Sequence, residues 1–510
     1  MSVPLLALPL ALLAAGPGGG DVRAWRSAHE VEIVRELAGL LAIPNVASDA
    51  SNIERNAEAI RAAYARRGIA MELLRAPGAP PAVFGELRVP GAARTIVFYA
   101  HYDGQPVVLS QWTGEPWKPV LRDKALRDGG REIPWEGLQP PLGPEWRVYA
   151  RSASDDKAPI VGLLAALDAL AASGRTPAAN LKFFFEGEEE AGSPHLEQIL
   201  RAHADRLRGD LWLLLDGPVH QTRRMALYFG ARGVTDVEMT VYGPSRPLHS
   251  GHYGNWAVNP IAELVRLLGS MRDDEGRILV AGFADGVRPA TAAEKRALAA
   301  VPPVETELAH ELALGRTEGE GAPLAAQILR PALNFRGIAG GGVGASATNA
   351  IPTEARASID FRLVPDQTPE KVRVAVEEHV RKQGFTVVHE DPTPDERRAS
   401  PRIVKLVWGP GYPAARAPLD APSSRAVIAT VEEAAGPTVL LPTLGGSIPM
   451  YLFGAVLKTP VIGVPIVNHD NDQHAANENL RLQNLWDGIE VYAALMSRLP
   501  AHWDAAPTPK

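Results

Sequence analysis

The chain has 510 residues, 46% of them hydrophobic, and a formal net charge of −7. This length exceeds what one ordinary hydrophobic core supports, so we expect two or three domains. The acidic balance leaves no basic footprint for nucleic acid or an anionic membrane surface. Because the sequence has no cysteine, disulfides, thiol nucleophiles and thiolate metal sites are excluded, and any metal must be held by His, Asp and Glu.

An apolar run opens the sequence. Residues 3–15 are mostly leucine and alanine, with the length of the hydrophobic region of a signal peptide and too few residues to cross a bilayer. We therefore predict a signal peptide over residues 1–20 and an exported protein, periplasmic or secreted. A disordered leader on a cytoplasmic protein is the alternative. No later stretch is long and apolar enough to span a membrane.

The first part of the chain alternates helices with apolar strands, which indicates a parallel sheet of the α/β class. Residues 104–147, rich in Pro, Gly and Trp, interrupt this alternation as a long irregular excursion, which is typical of either a functional loop or a disordered one. Helices are predicted at 25–41, 53–68, 154–172 and up to 207, and strands at 82–89, 95–100, 181–185 and 211–216.

The pattern changes after residue 232, where the order strand, helix, strand, strand, helix, strand is typical of a ferredoxin-like domain. We predict an α/β fold whose mostly parallel sheet is flanked by helices and is formed by 21–232 and 396–510, with an inserted α+β domain at 233–395. The inserted elements are strands at 234–242, 333–339, 355–364 and 386–389, helices at 259–271 and 369–382, and a charged helical insertion at 273–330; the tail adds a strand at 460–467 and a helix at 482–499.

An acidic run, residues 186–190, follows the strand at 181–185 without a spacer. A solvated loop is the ordinary interpretation of such a run. Other polar residues share its position, however, because each lies just past a predicted strand or at a helix start, and parallel strands bring these points to one edge of a sheet. The set comprises His101, Asp103, Asp155, Glu189, Glu190, Asp216 and His474.

Carboxylates gathered at one edge raise each other's pKa until some of them bind protons. Two zinc ions would nearly neutralise this cluster, and His with Asp or Glu is the expected zinc ligand set in a chain without cysteine. Cobalt or manganese is also compatible with such nitrogen and oxygen ligands.

Six segments of the chain carry a family resemblance. They are His101-Tyr102-Asp103, Ser154-Asp155-Asp156-Lys157, Glu189-Glu190-Ala191-Gly192-Ser193, Asp216, His249-Ser250-Gly251 and His474 in His-Ala-Ala-Asn-Glu. Together these segments resemble the dinuclear zinc metallopeptidase family of carnosinases, carboxypeptidase G-type enzymes, desuccinylases and aminoacylases. The resemblance covers nearly all of the chain after the leader, and the segments occur in the family's order.

The resemblance implies a role for each residue of the predicted metal cluster. Asp155 would bridge two Zn²⁺ ions, with His101 and Asp216 on one and Glu190 and His474 on the other. Glu189 would be the general base that takes the proton of a bridging water, and Asp103 would orient His101.

The resemblance also implies functional residues in the inserted domain, which would serve as a lid and as the interface of a homodimer. His249 would stabilise the oxyanion across the subunit interface, and Arg362 would hold the free carboxylate of the substrate. Asn349 and Ser447 would line the substrate pocket.

The chain departs from the family pattern at several small residues. Where the family has Gly-Arg-Gly before the bridging aspartate this chain has Ala150-Arg151-Ser152, so a turn that needs positive φ would be strained. Ala158 follows Lys157 in place of glycine, and Asn255 replaces a second glycine after the histidine motif. Leu444 stands where dipeptidases of the carnosinase type often carry Glu before Gly-Gly-Ser.

The predicted function is therefore metal-dependent hydrolysis of the amide bond of dipeptides or short peptides with a free carboxylate. The loss of an acid at Leu444 keeps an N-acyl amino acid amidohydrolase open, and a non-catalytic solute-binding protein is a more distant alternative. A serine acyl hydrolase would use Ser154 and Lys157 as Ser-x-x-Lys, but no Ser-Asp-Asn or Lys-Thr-Gly follows. The glycines at 340–344 predict a hairpin or bulge, because no phosphate-loop lysine accompanies them.

Overall fold

A computed structural model describes residues 21–504, and the predicted leader lies outside this range. The chain forms two compact units. The first contains residues 21–229, Ala417–Leu441 and 452–504, and the second contains Gly230–Arg416 and Pro442–Tyr451. In the range described, no helix combines the length and apolar character needed to cross a membrane.

The strands are, in chain order, β1 (Met71–Leu74), β2 (Ala82–Leu87), β3 (Thr95–His101), β4 (Val120–Arg122), β5 (Glu132–Ile133), β6 (Arg147–Tyr149), β7 (Asn180–Glu186), β8 (Leu211–Leu214), β9 (Ala226–Tyr228), β10 (Gly230–Ala231), β11 (Gly233–Tyr242), β12 (Leu248–His249), β13 (Ala332–Ala339), β14 (Ala350–Ile351), β15 (Glu354–Leu363), β16 (Thr386–Val388), β17 (Ile403–Trp408), β18 (Ala415–Arg416), β19 (Val439–Leu441), β20 (Val461–Gly463) and β21 (Asn479–Arg481).

The α-helices are α1 (Val22–Ala28), α2 (Glu30–Leu41), α3 (Ala50–Ala65), α4 (Lys157–Ala172), α5 (Leu196–Ala202), α6 (Ala204–Leu207), α7 (Ser250–Tyr253), α8 (Pro260–Gly269), α9 (Ala292–Ala299), α10 (Glu305–Glu311), α11 (Leu324–Ile328), α12 (Pro369–Lys382), α13 (Pro394–Ala399), α14 (Pro422–Ala435) and α15 (Leu482–Asp504).

The first unit is built on an eight-stranded sheet in the order β1-β2-β7-β3-β8-β20-β9-β19. Its centre is parallel, since β7, β3, β8 and β20 pair in the same direction, whereas β1, β2 and β9 pair antiparallel to their inner neighbours. Apart from Thr95 and Asn180, which begin β3 and β7, the residues of these central strands are buried, which explains their largely apolar sequences. The predicted α/β fold class is confirmed.

Helix α4 packs on α15 and on the central sheet of the first unit. Nearly every residue from Lys157 to Leu170 is buried, in keeping with the low polarity of this helix. Gly162 lies against the ring of Tyr492, where a Cβ atom would come within 3.2 Å of the ring, so a small residue permits this close contact.

The excursion at 104–147 is more ordered than predicted. A four-stranded sheet in the order β21-β6-β4-β5 uses two strands from within it, and all its pairs are antiparallel. The strands are two or three residues long, too short for an alternating pattern to be visible in the sequence. Strand β21, which pairs with β6, lies more than 300 residues away in the chain.

The second unit contains a five-stranded sheet in the order β13-β15-β11-β17-β16. The ferredoxin-like succession β11, α8, β13, β15, α12, β16 is present in the predicted chain order. Strand β17, however, lies between β11 and β16, and the contacts place the unit boundary at Arg416, not at residue 395. The physical reason is the antiparallel pairing of β17 with β11, since Val404 to Trp408 lie opposite Val241 to Val237.

Candidate metal centre

The carboxyl ends of the central parallel strands lie at one edge of the large sheet. In the pairing of β3 with β7, His101 lies opposite Glu186, so the acidic run leaves the sheet directly beside His101. In the pairing of β3 with β8, Tyr99 lies opposite Leu214, two residues before Asp216. The alternation of strands and helices thus brings together side chains that are distant in sequence.

Two groups of potential ligands meet at this edge. The first is His101, Asp155 and Asp216, all buried, and the second is Asp155, Glu190 and His474. Asp155 belongs to both groups. Its Oδ1 atom lies 2.9 Å from Nε2 of His101, and its Oδ2 atom lies 3.1 Å from Nε2 of His474. His474 in turn lies 3.2 Å from Oε2 of Glu190.

The ionisation of these groups is governed by burial and by their neighbours. Burial, together with the carboxylate of Asp155, raises the pKa of Asp216 to about 7. Burial raises the pKa of Glu189 well above its usual value, and the carboxylates of Asp216 and Glu190 add to this effect. Burial alone would lower the pKa of His101, but its carboxylate neighbours raise it well above the usual value. The cluster therefore has an excess of negative charge that only protons or cations can balance.

This chemistry fits divalent cations. Within each group the ligand atoms lie within 4.8 Å of one another, which one ion can bridge with bonds of about 2.0–2.2 Å. The donors are imidazole nitrogens and carboxylate oxygens, as expected for zinc, cobalt or manganese in a chain without cysteine. Asp155 offers one carboxylate oxygen to each group.

Asp103 connects this edge to the acidic run. It is completely buried, and its Oδ1 atom lies 3.3 Å from Nδ1 of His101. Its two carboxylate oxygens also accept hydrogen bonds from the backbone N–H groups of Glu189 and Glu190, each at 3.0 Å. One carboxylate thus lies against the imidazole and holds the turn that carries the two glutamates.

The four glutamates of the acidic run have different surroundings. The buried Glu186 accepts a hydrogen bond from the hydroxyl of Tyr99 at 2.6 Å. Glu188 accepts hydrogen bonds from the backbone and ring of His195, which holds the start of α5. Glu190 belongs to the second ligand group and accepts a hydrogen bond from Gln105 at 2.7 Å.

Sequence reasoning missed a buried carboxylate that supports the loop around Asp155. Glu478 accepts hydrogen bonds of 2.8–2.9 Å from Arg151, from the backbone N–H groups of Ser152, Ser154 and Asp155, and from the Ser154 hydroxyl. The signal in the sequence is its place at the end of His-Ala-Ala-Asn-Glu, a segment in which the family resemblance implies a role only for the histidine.

The same loop contains the departure from the family's Gly-Arg-Gly. Ser152 has φ of 62°, in the left-handed region that favours glycine. Its hydroxyl accepts a hydrogen bond from Asn45 at 2.8 Å, and its N–H donates to Glu478. The side chain that makes the conformation costly therefore also contributes a contact that helps to hold it.

The second unit contains the other predicted site residues in two pairs. His249, on β12, pairs with Ala350 of β14, and the N–H of Ser250 donates to the carbonyl of Asn349 at 2.9 Å. His249 and Asn349 are both exposed. Arg362, on β15, donates through Nη1 to the hydroxyl of Ser447 at 2.9 Å.

Comparison with known proteins identifies the family. The peptidase family M20/M25/M40 matches residues 97–498, which is most of the chain. The chain belongs to this family. Its members are metallopeptidases, so the predicted resemblance is confirmed.

Individual relatives align over most of their length. A Cys-Gly metallodipeptidase, dug1 of Schizosaccharomyces pombe, is 27% identical over 487 residues, which cover 92% of this chain and 95% of the relative. The human Beta-Ala-His dipeptidase is 27% identical over 81% of this chain and 76% of the relative. Among solved structures, the M20 metallo-carboxypeptidase Sso-CP2 from Sulfolobus solfataricus superimposes with a TM-score of 0.75, at 25% identity, over 92% of this chain and 99% of that one.

Membership of this peptidase family leaves no role for a Ser-x-x-Lys nucleophile, and the contacts agree. The Nζ atom of Lys157 donates to the carbonyls of Leu40 and Ile43, each at 3.0 Å. The hydroxyl of Ser154 donates to Glu478 and not to Lys157. Burial lowers the pKa of Lys157 to about 7. In this M20 peptidase the Lys157 amine binds backbone carbonyls at the C-terminus of α2 and donates no hydrogen bond to Ser154.

Proposed function

We propose that this protein is a dinuclear metallodipeptidase that hydrolyses the amide bond of a dipeptide or short peptide with a free carboxylate. The observation that carries this proposal is the pair of ligand groups sharing Asp155, with the half-buried Glu189 beside them. The matched relatives named as dipeptidases support the substrate class.

The proposed metal ligands are His101, Asp155 and Asp216 for one ion and Asp155, Glu190 and His474 for the other. When bound, two such cations would lower the pKa of a water molecule at the site toward neutrality. Glu189 then takes the proton of that water and delivers it to the nitrogen of the leaving amine. Burial and the neighbouring carboxylates raise the pKa of Glu189, which favours its holding the proton between the two transfers.

Residues of the second unit would act on the rest of the substrate. We propose that His249 stabilises the oxyanion and that Arg362 binds the free carboxylate, with Asn349 and Ser447 beside them. The contact between Arg362 and Ser447 supports this assignment, since it directs a guanidinium and a hydroxyl to one place.

We further propose a homodimer formed through the second unit. Large apolar side chains of this unit lie open to solvent, among them Trp256 at 80% and Val343 at 85% exposure. Exposed apolar surface of this kind favours a protein interface. Export through the leader at 1–20 stays a prediction from the sequence.

Leu444 favours one alternative substrate class. It stands where dipeptidases of the carnosinase type often carry a glutamate, which could bind the amine of a substrate. Leucine leaves that position uncharged. An N-acyl amino acid, which has no free amine, is therefore the second candidate substrate.

Metal analysis followed by a substrate panel tests the proposal. Purified protein is analysed for bound metal and assayed with free dipeptides, their N-acetyl forms and their C-amidated forms. We expect about two divalent ions per chain and hydrolysis of the free dipeptides. Preference for the N-acetyl forms would select the amidohydrolase, and no hydrolysis of any substrate with both metals bound would favour a solute-binding protein.

A pair of matched variants separates the base from the ligand. Glu189→Gln should keep both metals and lose about 10² to 10⁴ in kcat, because only proton transfer is removed. Glu190→Gln should reduce the metal content instead. The reverse result would show that the register of the acidic run is wrong by one residue.

A further inference from the structure

Arg232 of the second unit has an unusual environment for a cation. It is 9% exposed and lies one residue before β11. Its Nη2 atom donates to the carbonyl of Arg330 at a long 3.3 Å, and its buried Nε atom has no hydrogen-bond partner. Among residues 21–504 no carboxylate forms an ion pair with it. A guanidinium has five N–H donors, and burying them unpaired is costly.

A second guanidinium lies on the same face of the sheet. Arg362 lies opposite Val234 in the pairing of β11 with β15, and Arg232 continues the alternation of β11 two residues earlier. Burial, reinforced by the charge of Arg362, lowers the pKa of Arg232 to about 10. Two like charges are therefore held close together in a partly desolvated place.

The carboxylates around this pair are already engaged. Asp360 accepts a hydrogen bond from Nε of Arg362 at 3.0 Å. Asp236, which lies opposite Asp360, accepts one from Arg336 at 2.7 Å, and Arg336 is also shared with Glu238. The two guanidinium groups thus have one carboxylate, Asp360, between them.

The loop that contains Ser447 is fastened to the same strand. The N–H of Arg232 donates to the carbonyl of Gly446 at 3.2 Å, and the hydroxyl of Ser447 donates to the carbonyl of Gly233 at 3.3 Å. Since Ser447 also accepts from Arg362, both arginines and this hydroxyl belong to one cluster. The cluster holds two positive charges and one carboxylate, so one further negative charge would neutralise it. A carboxylate fits this place, because its two oxygens can accept several N–H donors.

We propose that Arg232 is a second carboxylate-binding arginine, which holds the free carboxylate of the substrate together with Arg362. This inference rests on the proposed function, which it deepens by naming the residue that distinguishes a free carboxylate from an amide. The neutral amide of a C-amidated peptide cannot compensate two guanidinium charges, so selectivity should depend on Arg232.

Arg232→Gln and Arg232→Lys test this role, with Arg336→Gln as the matched control on the same sheet. For the dipeptide that the wild type hydrolyses best, we expect Arg232→Gln to lower kcat/KM about tenfold to hundredfold through KM, with little change for its C-amidated form. The kcat/KM of Arg232→Lys should lie between those of the wild type and Arg232→Gln, since lysine keeps the positive charge but lacks the paired N–H donors of a guanidinium. Arg336→Gln should behave like the wild type.

A binding measurement separates this inference from the proposed function. Calorimetry on metal-loaded Glu189→Gln protein, with and without Arg232→Gln, compares N-acetylglycine with N-acetylglycinamide. We expect the added Arg232→Gln substitution to reduce the affinity for N-acetylglycine at least about tenfold and to leave the affinity for N-acetylglycinamide unchanged. This result would support the inference even if the wild type hydrolysed no dipeptide, in which case only the proposed function would fail.

Two outcomes would overturn the inference while the enzyme remains an active dipeptidase. One is an equal loss of kcat/KM for free and amidated substrates together with a lower melting temperature. This result would show that Arg232 acts in folding, through its hydrogen bond to the carbonyl of Arg330. The other is unchanged selectivity in both Arg232 variants. If Arg232→Gln does not fold, the Arg232→Lys ratio of free to amidated substrate decides between the two roles.

Discussion

At the scale of single residues, the acidic run shows how burial gives different roles to identical side chains. Glu189 lies beside two potential ligand groups, Glu190 belongs to one of them, and Glu188 holds the start of α5 through His195. Glu186 is buried against Tyr99, and burial raises its pKa to about 7. The residue type is the same at all four positions, so the neighbours decide the chemistry.

Glu186 should make the stability of the fold depend on pH. Its pKa in the folded state exceeds the unfolded value, so its contribution to the free energy of unfolding falls as the pH rises from about 4.5 to about 7. Glu186→Gln keeps an acceptor for Tyr99 and removes this loss, so it should stabilise the protein by up to about 3 kcal/mol at pH 8 and much less at pH 5.

Denaturant unfolding at pH 5 and pH 8 with a chelator present would measure this difference without a contribution from metal binding. Glu197→Gln, at an exposed position on α5, serves as the control. An equal increase in the free energy of unfolding of Glu186→Gln at both pH values would contradict the prediction.

At the scale of elements, the loop between β6 and α4 depends on a residue from another part of the chain. Glu478 lies immediately before β21, which pairs with β6, and from there it accepts hydrogen bonds from three backbone N–H groups of the loop that presents Asp155. Strand pairing therefore brings the carboxylate to the loop. The loop in turn holds Ser152 in its left-handed conformation.

Glu478→Gln should loosen this loop. An amide oxygen can replace one carboxylate oxygen, but its NH₂ group would face N–H donors, which leaves buried groups unpaired at a cost of about 1–3 kcal/mol. We expect metal affinity to fall about tenfold to hundredfold, as measured by competition with a chelator, because Asp155 loses its support.

Glu145→Gln provides the control for Glu478→Gln, since Glu145 is a half-exposed partner of Arg223 and Arg481. It should change neither stability nor metal affinity appreciably. Lower stability of Glu478→Gln with full metal affinity would restrict Glu478 to a role in folding.

At the scale of the whole molecule, the candidate centre is assembled from five separate segments between residues 101 and 474. Their common feature is position, since each follows a strand of the large sheet or begins a helix next to it. If the predicted homodimer forms and His249 acts across its interface, a complete site also needs the second subunit.

Complementation between two inactive variants tests this arrangement. In a dimer of one Glu189→Gln subunit and one His249→Ala subunit, a site that combines Glu189 of one chain with His249 of the other is intact, and the second site lacks both. We therefore expect about half of the wild-type activity in the purified heterodimer, although each homodimer is nearly inactive.

The heterodimer is isolated with two different affinity tags, and sedimentation equilibrium establishes its composition. Activity no greater than the sum of the two homodimers would place His249 in the same chain as the metals it serves. A purely monomeric wild type would remove the shared site altogether.

The sequence by itself determined the α/β class, the family and the set of candidate residues at the sheet edge. Buried parallel strands require continuous apolar runs, and their carboxyl ends must meet at one edge, so the sequence alone places His101, Asp216 and the acidic run together. The order of motifs along the chain then identified the peptidase family. These inferences depend on local patterns and on a rule of topology.

Only the tertiary structure decided which distant segments support those residues. Strand β17 joins the sheet of the second unit, the short strand β6 pairs with β21, Glu478 binds the loop at 151–155, and Arg232 lies on the same face of its sheet as Arg362. Local periodicity shows which face of an element is buried but does not identify its partner. That choice depends on packing and hydrogen bonding between residues that can be hundreds of positions apart, so it becomes visible only in the folded chain.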